Sequence, residues 1–280
     1  MKIPRYWAKD TCSLQDPRGK TFSAICWRWS DTSVEDARQQ ARVGAQQIAG
    51  KLLNQQHLDR YSYGERPMRE EITQTITNAQ GKEIALVTRN AYGALVLNAA
   101  NAMFIDIDFK EEKSPGPFGQ LFGRSGPTQE ETRLQSIEQW AQRNPGLGLR
   151  VYRTFGGLRC LVTNEVFDPT QESALSILKS VDSDPLYVRL CRSQGCFRAR
   201  LTPKPWRCGL GKPPSRFPWD NHREETNYRQ WEQAYNLAAS NYAVCKLVKQ
   251  IGSPAMHPDV EPILSMHDGA TCSALGLELA

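Results

Sequence analysis

Residues 101–112 read NAMFIDIDFKEE, and two aspartates, Asp106 and Asp108, interrupt an otherwise apolar run. Strand alternation puts Met103, Ile105, Ile107 and Phe109 on one face and Phe104, Asp106 and Asp108 on the other. The two carboxylates then point the same way, about 6.5 Å apart along the strand. Aspartate is depleted in strands, and like charges on one face repel, so something must compensate. Nearby Arg or Lys could do so at an exposed strand end. A divalent cation is the more economical answer. Mg²⁺ and Mn²⁺ take carboxylate oxygens and complete their shell with substrate phosphates, and two such ions can stabilise both oxygens of an in-line displacement. A third carboxylate would help; Asp182 and Asp184 in SVDSDPLY are the candidates, with Asp168 weaker because it reads as a helix cap.

The pattern around this strand predicts an α+β chain with antiparallel pairing prominent. TFSAICWRW (21–29) reads as a first strand. Val34, Ala37, Ala41, Ala45, Ile48 and Leu52 then give a helical stripe behind a Ser33/Asp36 start. MREEITQTI reads as a short amphipathic piece, and EIALVTRNAYGALVLN (83–98) as a hairpin. Residues 110–127 form a Gly/Pro-rich loop, and Thr128 with Glu131 caps a helix. LRVYRTFGGLRCLVTN (149–164) is a second hairpin turning at Gly156-Gly157, where the chain can turn tightly or approach a ligand closely. Asp168-Pro169 opens a third helix. PLYVRLC and CFRARLT are two further strands. Tyr228, Trp231, Tyr235, Ala238, Tyr242 and Cys245 space a long helix before a broken tail, in which His257 and His267 read as loop surface. Three segments follow: an N-terminal strand and helix (1–82), an α+β core with a basic Cys-containing insert (83–215), and a C-terminal helix and tail (216–280).

The net charge of the 280 residues is only +5. Its distribution says more: residues 187–216 carry Arg189, Arg192, Arg198, Arg200, Lys204, Arg207, Lys212 and Arg216 with no acidic residue. With Tyr187, Phe197 and Trp206 among them, the segment reads as a phosphate-binding surface or as a solvated basic loop. No apolar run approaches the roughly 18 residues of a membrane span, and no signal-like stretch opens the sequence, so a cytoplasmic protein is expected. The eight cysteines then read as thiols or metal ligands rather than disulfides. Cys191, Cys196, Cys208 and His222 supply the donors of a Cys₃His zinc site, although Cys196 also reads as an inward-facing strand residue.

An hhhDhD strand, then a helix, then a hairpin carrying R-T-x-x-G-h-R resembles the archaeo-eukaryotic primase (primase-polymerase) superfamily over roughly residues 84–200. The resemblance implies an RRM-like palm with flanking helices and metal-dependent nucleotidyl transfer templated by nucleic acid. Asp106 and Asp108 would bind Mg²⁺ or Mn²⁺, and Asp184 would be the last catalytic acid. Arg159 would stand where the family has its phosphate-holding histidine, and the cysteine insert would match the Zn²⁺-binding elements of some members. Arginine holds phosphate but takes no part in proton transfer. In this reading Arg153, Thr154 and Arg159 hold the nucleoside triphosphate, and Arg198, Arg200 and Lys204 contact phosphates of nucleotide or nucleic acid. The alternatives are a non-catalytic nucleic-acid-binding protein on the same scaffold, and a two-metal phosphohydrolase or nuclease.

Overall fold

The structure, a computed structural model, describes residues 1–58, 66–110, 127–271 and 276–280. It is α+β, as the pattern predicts, and its strands are organised by two four-stranded antiparallel sheets. The chain opens with a hairpin of β1 (Tyr6–Gln15) and β2 (Thr21–Ser30), covered on one face by α1 (Val34–Leu53). Ser33 caps α1 by accepting from the Asp36 N–H, and Ala37, Ala41, Ala45 and Ala49 form its buried stripe. Small side chains let helix and hairpin approach closely. A Cβ on Gly44 would stand 2.6 Å from the Cys26 sulfur.

β3 (Glu71–Thr77), β4 (Glu83–Arg89) and β5 (Leu95–Ala99) build the first sheet as a meander, with β6 (Phe104–Asp108) following. α2 (Gln129–Arg143) begins at the expected capping box, in which Thr128 and Glu131 satisfy each other's backbone N–H. The hairpin of β7 (Gly148–Thr154) and β8 (Gly157–Val162) leads through α3 (Glu172–Ser180) and α4 (Pro185–Gln194) to β9 (Phe197–Arg200). Strand orders are β3-β4-β5-β9 and, beside an edge strand formed by Cys245–Gly252, β7-β8-β6. β9 packs beside β6, so the two sheets meet along those edges. One apolar core runs beneath both, with Leu97, Met103, Phe104, Ile105, Ile107, Leu158 and Phe197 fully buried.

The C-terminal part holds α5 (His222–Ala239), β10 (Tyr242–Ala243), β11 (Cys245–Gly252), α6 (Glu261–Ala270) and β12 (Glu278–Leu279), β10 and β12 pairing in parallel. The expected boundaries do not follow the sheets. β3 pairs with β4 across residue 82, and β11 pairs with β7, so the tail supplies an edge strand to the core. Among the described residues no helix is long and apolar enough to cross a membrane.

Several elements differ from expectation. A strand, β1, precedes the expected first one, and MREEITQTI contributes a sheet strand. PLYVRLC is not a strand but most of α4. Asp184 caps it with Pro185 in the first turn, its buried residues Tyr187, Cys191 and Gln194 have helical spacing, and Gly195 ends it at φ +62°. Asp168-Pro169 is a turn, with the Asp168 carboxylate accepting from Thr170, and α3 starts only at Glu172. α5 stops at Ala239, so Tyr242 and Cys245 lie on strands. The loop expected at 110–127 lies almost wholly outside the described residues.

Candidate functional site

β6 keeps its predicted alternation: Ile105 and Ile107 are buried, Asp106 is half-buried, and Asp108 is exposed at the strand end. Its neighbour β8 pairs Asp106 with Arg159 and Asp108 with Gly157. Gly157 is needed for that approach. A Cβ there would lie 2.0 Å from the Ile107 carbonyl oxygen and 3.0 Å from the Asp108 Cα, so the tight contact is with β6, not with a ligand as the sequence allowed. We therefore expect Gly157→Ala to push β6 away and cost about 1–3 kcal/mol, the usual penalty of overpacking. Thermal unfolding checks this, and a melting temperature unchanged from wild type would mean that β6 can shift freely.

Of the three candidate acids, Asp184 comes to the pair. Its backbone N–H donates to the Asp106 carbonyl at 2.9 Å, and the Ser183 hydroxyl donates to the same oxygen at 2.9 Å. These bonds pin the start of α4 to the middle of β6. The Asp184 carboxylate itself accepts from the Leu186 and Tyr187 N–H groups, which commits it to capping. Asp182 points to Arg133 instead, at 2.6 Å, and Asp168 is the turn residue described above. Partial burial, then the charges of Asp106 and Asp184, raise the Asp108 pKa above the usual carboxylate value; Lys204 and Arg200 oppose the rise. Among the described residues no three His, Cys, Asp or Glu side chains converge as a metal-binding group.

Facing these acids is a cationic wall. A cleft of about 360 Å³ is lined by Asp106, Arg159, Tyr187, Arg198, Arg200 and Tyr92, among others. Arg159 is 4% exposed, and its Nη1 donates to the Arg200 carbonyl at 3.0 Å and contacts the Nε2 of His267 at 3.2 Å. Lys204 and Arg207 lie beside Arg200, in and next to a single 3₁₀ turn (Pro205–Arg207). Burial first, then these like charges, lowers the pKa of both Lys204 and Arg207. The Arg207 guanidinium also stacks 3.9 Å over Phe155. None of Arg159, Arg200, Lys204 and Arg207 has a carboxylate in salt-bridge contact among the described residues. Arg200 Nε and Arg207 Nη1 are buried without a hydrogen-bond partner there. Such uncompensated cations favour a site for an anion.

Other expected ligands are placed elsewhere. Arg198 reaches the cleft wall but its Nη2 donates to both oxygens of buried Glu70, at 2.8 and 2.9 Å. Arg153 pairs with Glu130 at 2.8 Å and turns back to the Gly157 carbonyl. Thr154 is buried on β7 opposite Cys245. The zinc set does not assemble: Cys191, Cys196 and Cys208 sit in three separate apolar clusters, and His222 is exposed at the start of α5. All described cysteines are free thiols.

Arg207 and Tyr187 stand within the expected basic segment without a place among the expected site residues, Glu70 has no part in the sequence-based expectation, and His267 is expected there as loop surface. His267 is fully buried on α6, where its i, i+4 spacing from buried Ile263 was the available signal. No family model matches this chain, nor does any curated protein or solved structure.

Proposed function

We propose that this chain is a metal-dependent nucleotidyltransferase of the primase-polymerase type that acts on nucleic acid. The observation that carries the reading is the juxtaposition of two unlike clusters: Asp106 and Asp108 on β6 against Arg159, Arg200, Lys204 and Arg207, which have no carboxylate in salt-bridge contact among the described residues. Phosphoryl chemistry asks for both, a divalent ion held by carboxylates and cations that hold the phosphate oxygens. The donor chemistry fits Mg²⁺ or Mn²⁺. Asp106 and Asp108 would hold it, the raised Asp108 carboxylate would be relieved by it, and phosphate and water oxygens would complete its shell. The run β6–α2–β7–β8–α3/α4–β9, with β9 beside β6, follows a β-α-β-β-α-β order and supports the RRM-like palm of this proposal.

A second reading has its own support. The Asp184 carboxylate already accepts from two N–H groups of its helix cap, and among the described residues no three acids converge as a metal-binding group, which favours a protein that binds nucleotide or nucleic acid without transferring it. Calorimetric titration of Mn²⁺ with a nucleoside triphosphate into wild type and the D106A/D108A double variant tests the common basis. Metal-dependent binding in wild type that falls below detection in the variant is the expected result, after which primer extension separates the two readings. Binding that needs no metal and survives in the variant would sink the metal site.

A further inference from the structure

Behind the cationic wall lies a buried polar chain that sequence reasoning did not anticipate. His267 has no solvent exposure, and its ring packs 4.8 Å from Tyr152 and 5.2 Å from Phe104, centroid to centroid. Its Nε2 faces Arg159 Nη1 at 3.2 Å. A guanidinium only donates, so Nε2 must be the unprotonated, accepting nitrogen. The proton therefore sits on Nδ1, which lies 2.9 Å from an Asp268 carboxylate oxygen and donates to it. Asp268 is itself held in place, accepting from the Tyr152 hydroxyl and from Arg150 Nη2, each at 2.7 Å.

We infer that His267 is a positioning residue: it holds the Arg159 guanidinium in place to bind phosphate in the cleft, while Asp268 fixes the ring in the tautomer that can accept. The inference rests on the proposed function, because it takes Arg159 as a phosphate ligand. The geometry argues for it in three ways. Arg159 Nη1 spends both of its N–H bonds backward, on the Arg200 carbonyl and on His267, which leaves the Nε–H and the two Nη2–H donors without a protein acceptor among the described residues. Those donors belong to a side chain that lines the same cleft as Asp106, its partner across β6 and β8. A neutral ring also orients the guanidinium without neutralising it. A carboxylate in that position would orient Arg159 equally well but would compete with phosphate for its charge.

The groups facing His267 are Asp268 on its own helix, Arg150 and Tyr152 from β7, Arg159 from β8 and Cys245 from β11, whose sulfur lies 3.9 Å from Nε2. Protonation of Nε2 would set two donors against each other at the Arg159 contact, so phosphate binding should weaken in acid together with the loss of that contact.

The test is Mn²⁺–nucleoside triphosphate affinity of the full chain in wild type, R159A, H267A, H267Q and the R159A/H267A pair, with the His267 tautomer read by ¹⁵N NMR in wild type. We expect H267A to bind about tenfold more weakly, as loss of a supporting contact typically does, and H267Q, whose amide oxygen can accept from Arg159, to recover to within about twofold. H267A should add nothing in the R159A background, and NMR should show Nδ1 protonated and Nε2 bare. Equal losses in H267A and H267Q, no loss in either, or a protonated Nε2 would overturn the inference while wild-type binding leaves the proposed function standing. Absence of triphosphate binding in wild type would remove that function and the inference with it. The wild-type NMR and the H267Q variant remain decisive even where H267A fails to fold.

Discussion

Glu70→Ala is expected to destabilise the protein by about 3–5 kcal/mol, the cost of leaving a buried charge without its partner. Glu70 is 2% exposed, and both its oxygens accept from Arg198, whose side chain is 8% exposed. One of them also accepts from the Thr88 hydroxyl at 2.5 Å, and Thr88 accepts in turn from Asn98 at 2.9 Å. The network thus ties the segment before β3 to strands β4, β5 and β9. Removing the carboxylate strands Arg198, the Thr88 hydroxyl and the order they impose together. For a chain of this size the loss corresponds to a fall in melting temperature of roughly 10 °C. Replacing both partners with apolar residues of similar size should recover most of the loss, since the pair's own desolvation is then no longer required. Differential scanning calorimetry of Glu70→Ala and of a Glu70→Leu, Arg198→Met double variant makes the comparison. A loss below about 1 kcal/mol in Glu70→Ala would mean that Arg198 reaches an exposed or anionic environment on its own, and would restore it as a phosphate ligand.

That outcome bears directly on what the sequence could and could not say. The basic segment 187–216 was legible as a whole, because a run of eight cations without an acid stands out in any chain. Its division of labour was not. Arg198 and Arg200 sit two apart on β9, yet one is paired with Glu70, 128 residues away, and the other has a buried Nε without a partner. Only the tertiary fold brings residue 70 to residue 198. The acid pair was legible for the opposite reason: alternation within five residues is local, and β6 obeys it. The pairing of Asp106 with Arg159 depends on the β6–β8 register, which Gly157 and the hairpin turn set and which no periodicity reveals.

α4 shows the limit of pattern reading in short segments. In PLYVRLC alternation groups Leu186, Val188 and Leu190 as an apolar face, whereas the helix buries Tyr187 and Cys191 and leaves Leu186 exposed, and seven positions are too few to choose between the two periods. The cap decided the matter. Asp184 followed by Pro185 was present in the sequence as a start signal, and it was read as an acid of the site rather than as the N-cap. The structure uses the residue in both places at once, its N–H on the Asp106 carbonyl and its carboxylate on the helix. α+β class followed from local patterns. The joining of two sheets at β6 and β9, which makes the cleft, did not.

His267 carries the second large effect, a pH dependence of stability. Burial, opposed by the hydrogen bond to Asp268 and reinforced by the positive charges of Arg159 and Arg150, lowers its pKa from an ordinary 6.5 to about 4. In the unfolded chain the same imidazole takes up its proton near pH 6.5. Above that value it is neutral in both states, and the folded protein has its full stability. As pH falls from about 6.5 to 4 the unfolded state binds a proton that the folded state refuses, and each unit then costs about 1.4 kcal/mol. Wild type should therefore lose on the order of 3 kcal/mol from this group alone between pH 7 and pH 4. Carboxylates titrate toward the lower end of that range. Asp268, held below the usual value by the bonds from His267 and Tyr152 that outweigh its burial, loses stability only in stronger acid, whereas the raised Asp108 carboxylate gains some as it protonates. His267→Gln leaves Asp108 as it is but removes the imidazole together with its Nδ1 bond to Asp268, so the difference between the two denaturation curves reports the His267–Asp268 pair, with the imidazole the group that titrates between pH 6.5 and 4. Urea unfolding of wild type and H267Q at pH 7 and pH 4 should show the gap between them shift by about 3 kcal/mol in favour of H267Q at the lower pH. A constant gap would mean that His267 accepts its proton inside the fold, with Arg159 forced away from the ring. Phosphate binding would then weaken already as pH falls through about 6.5, rather than only near pH 4, where the folded protein takes up the proton.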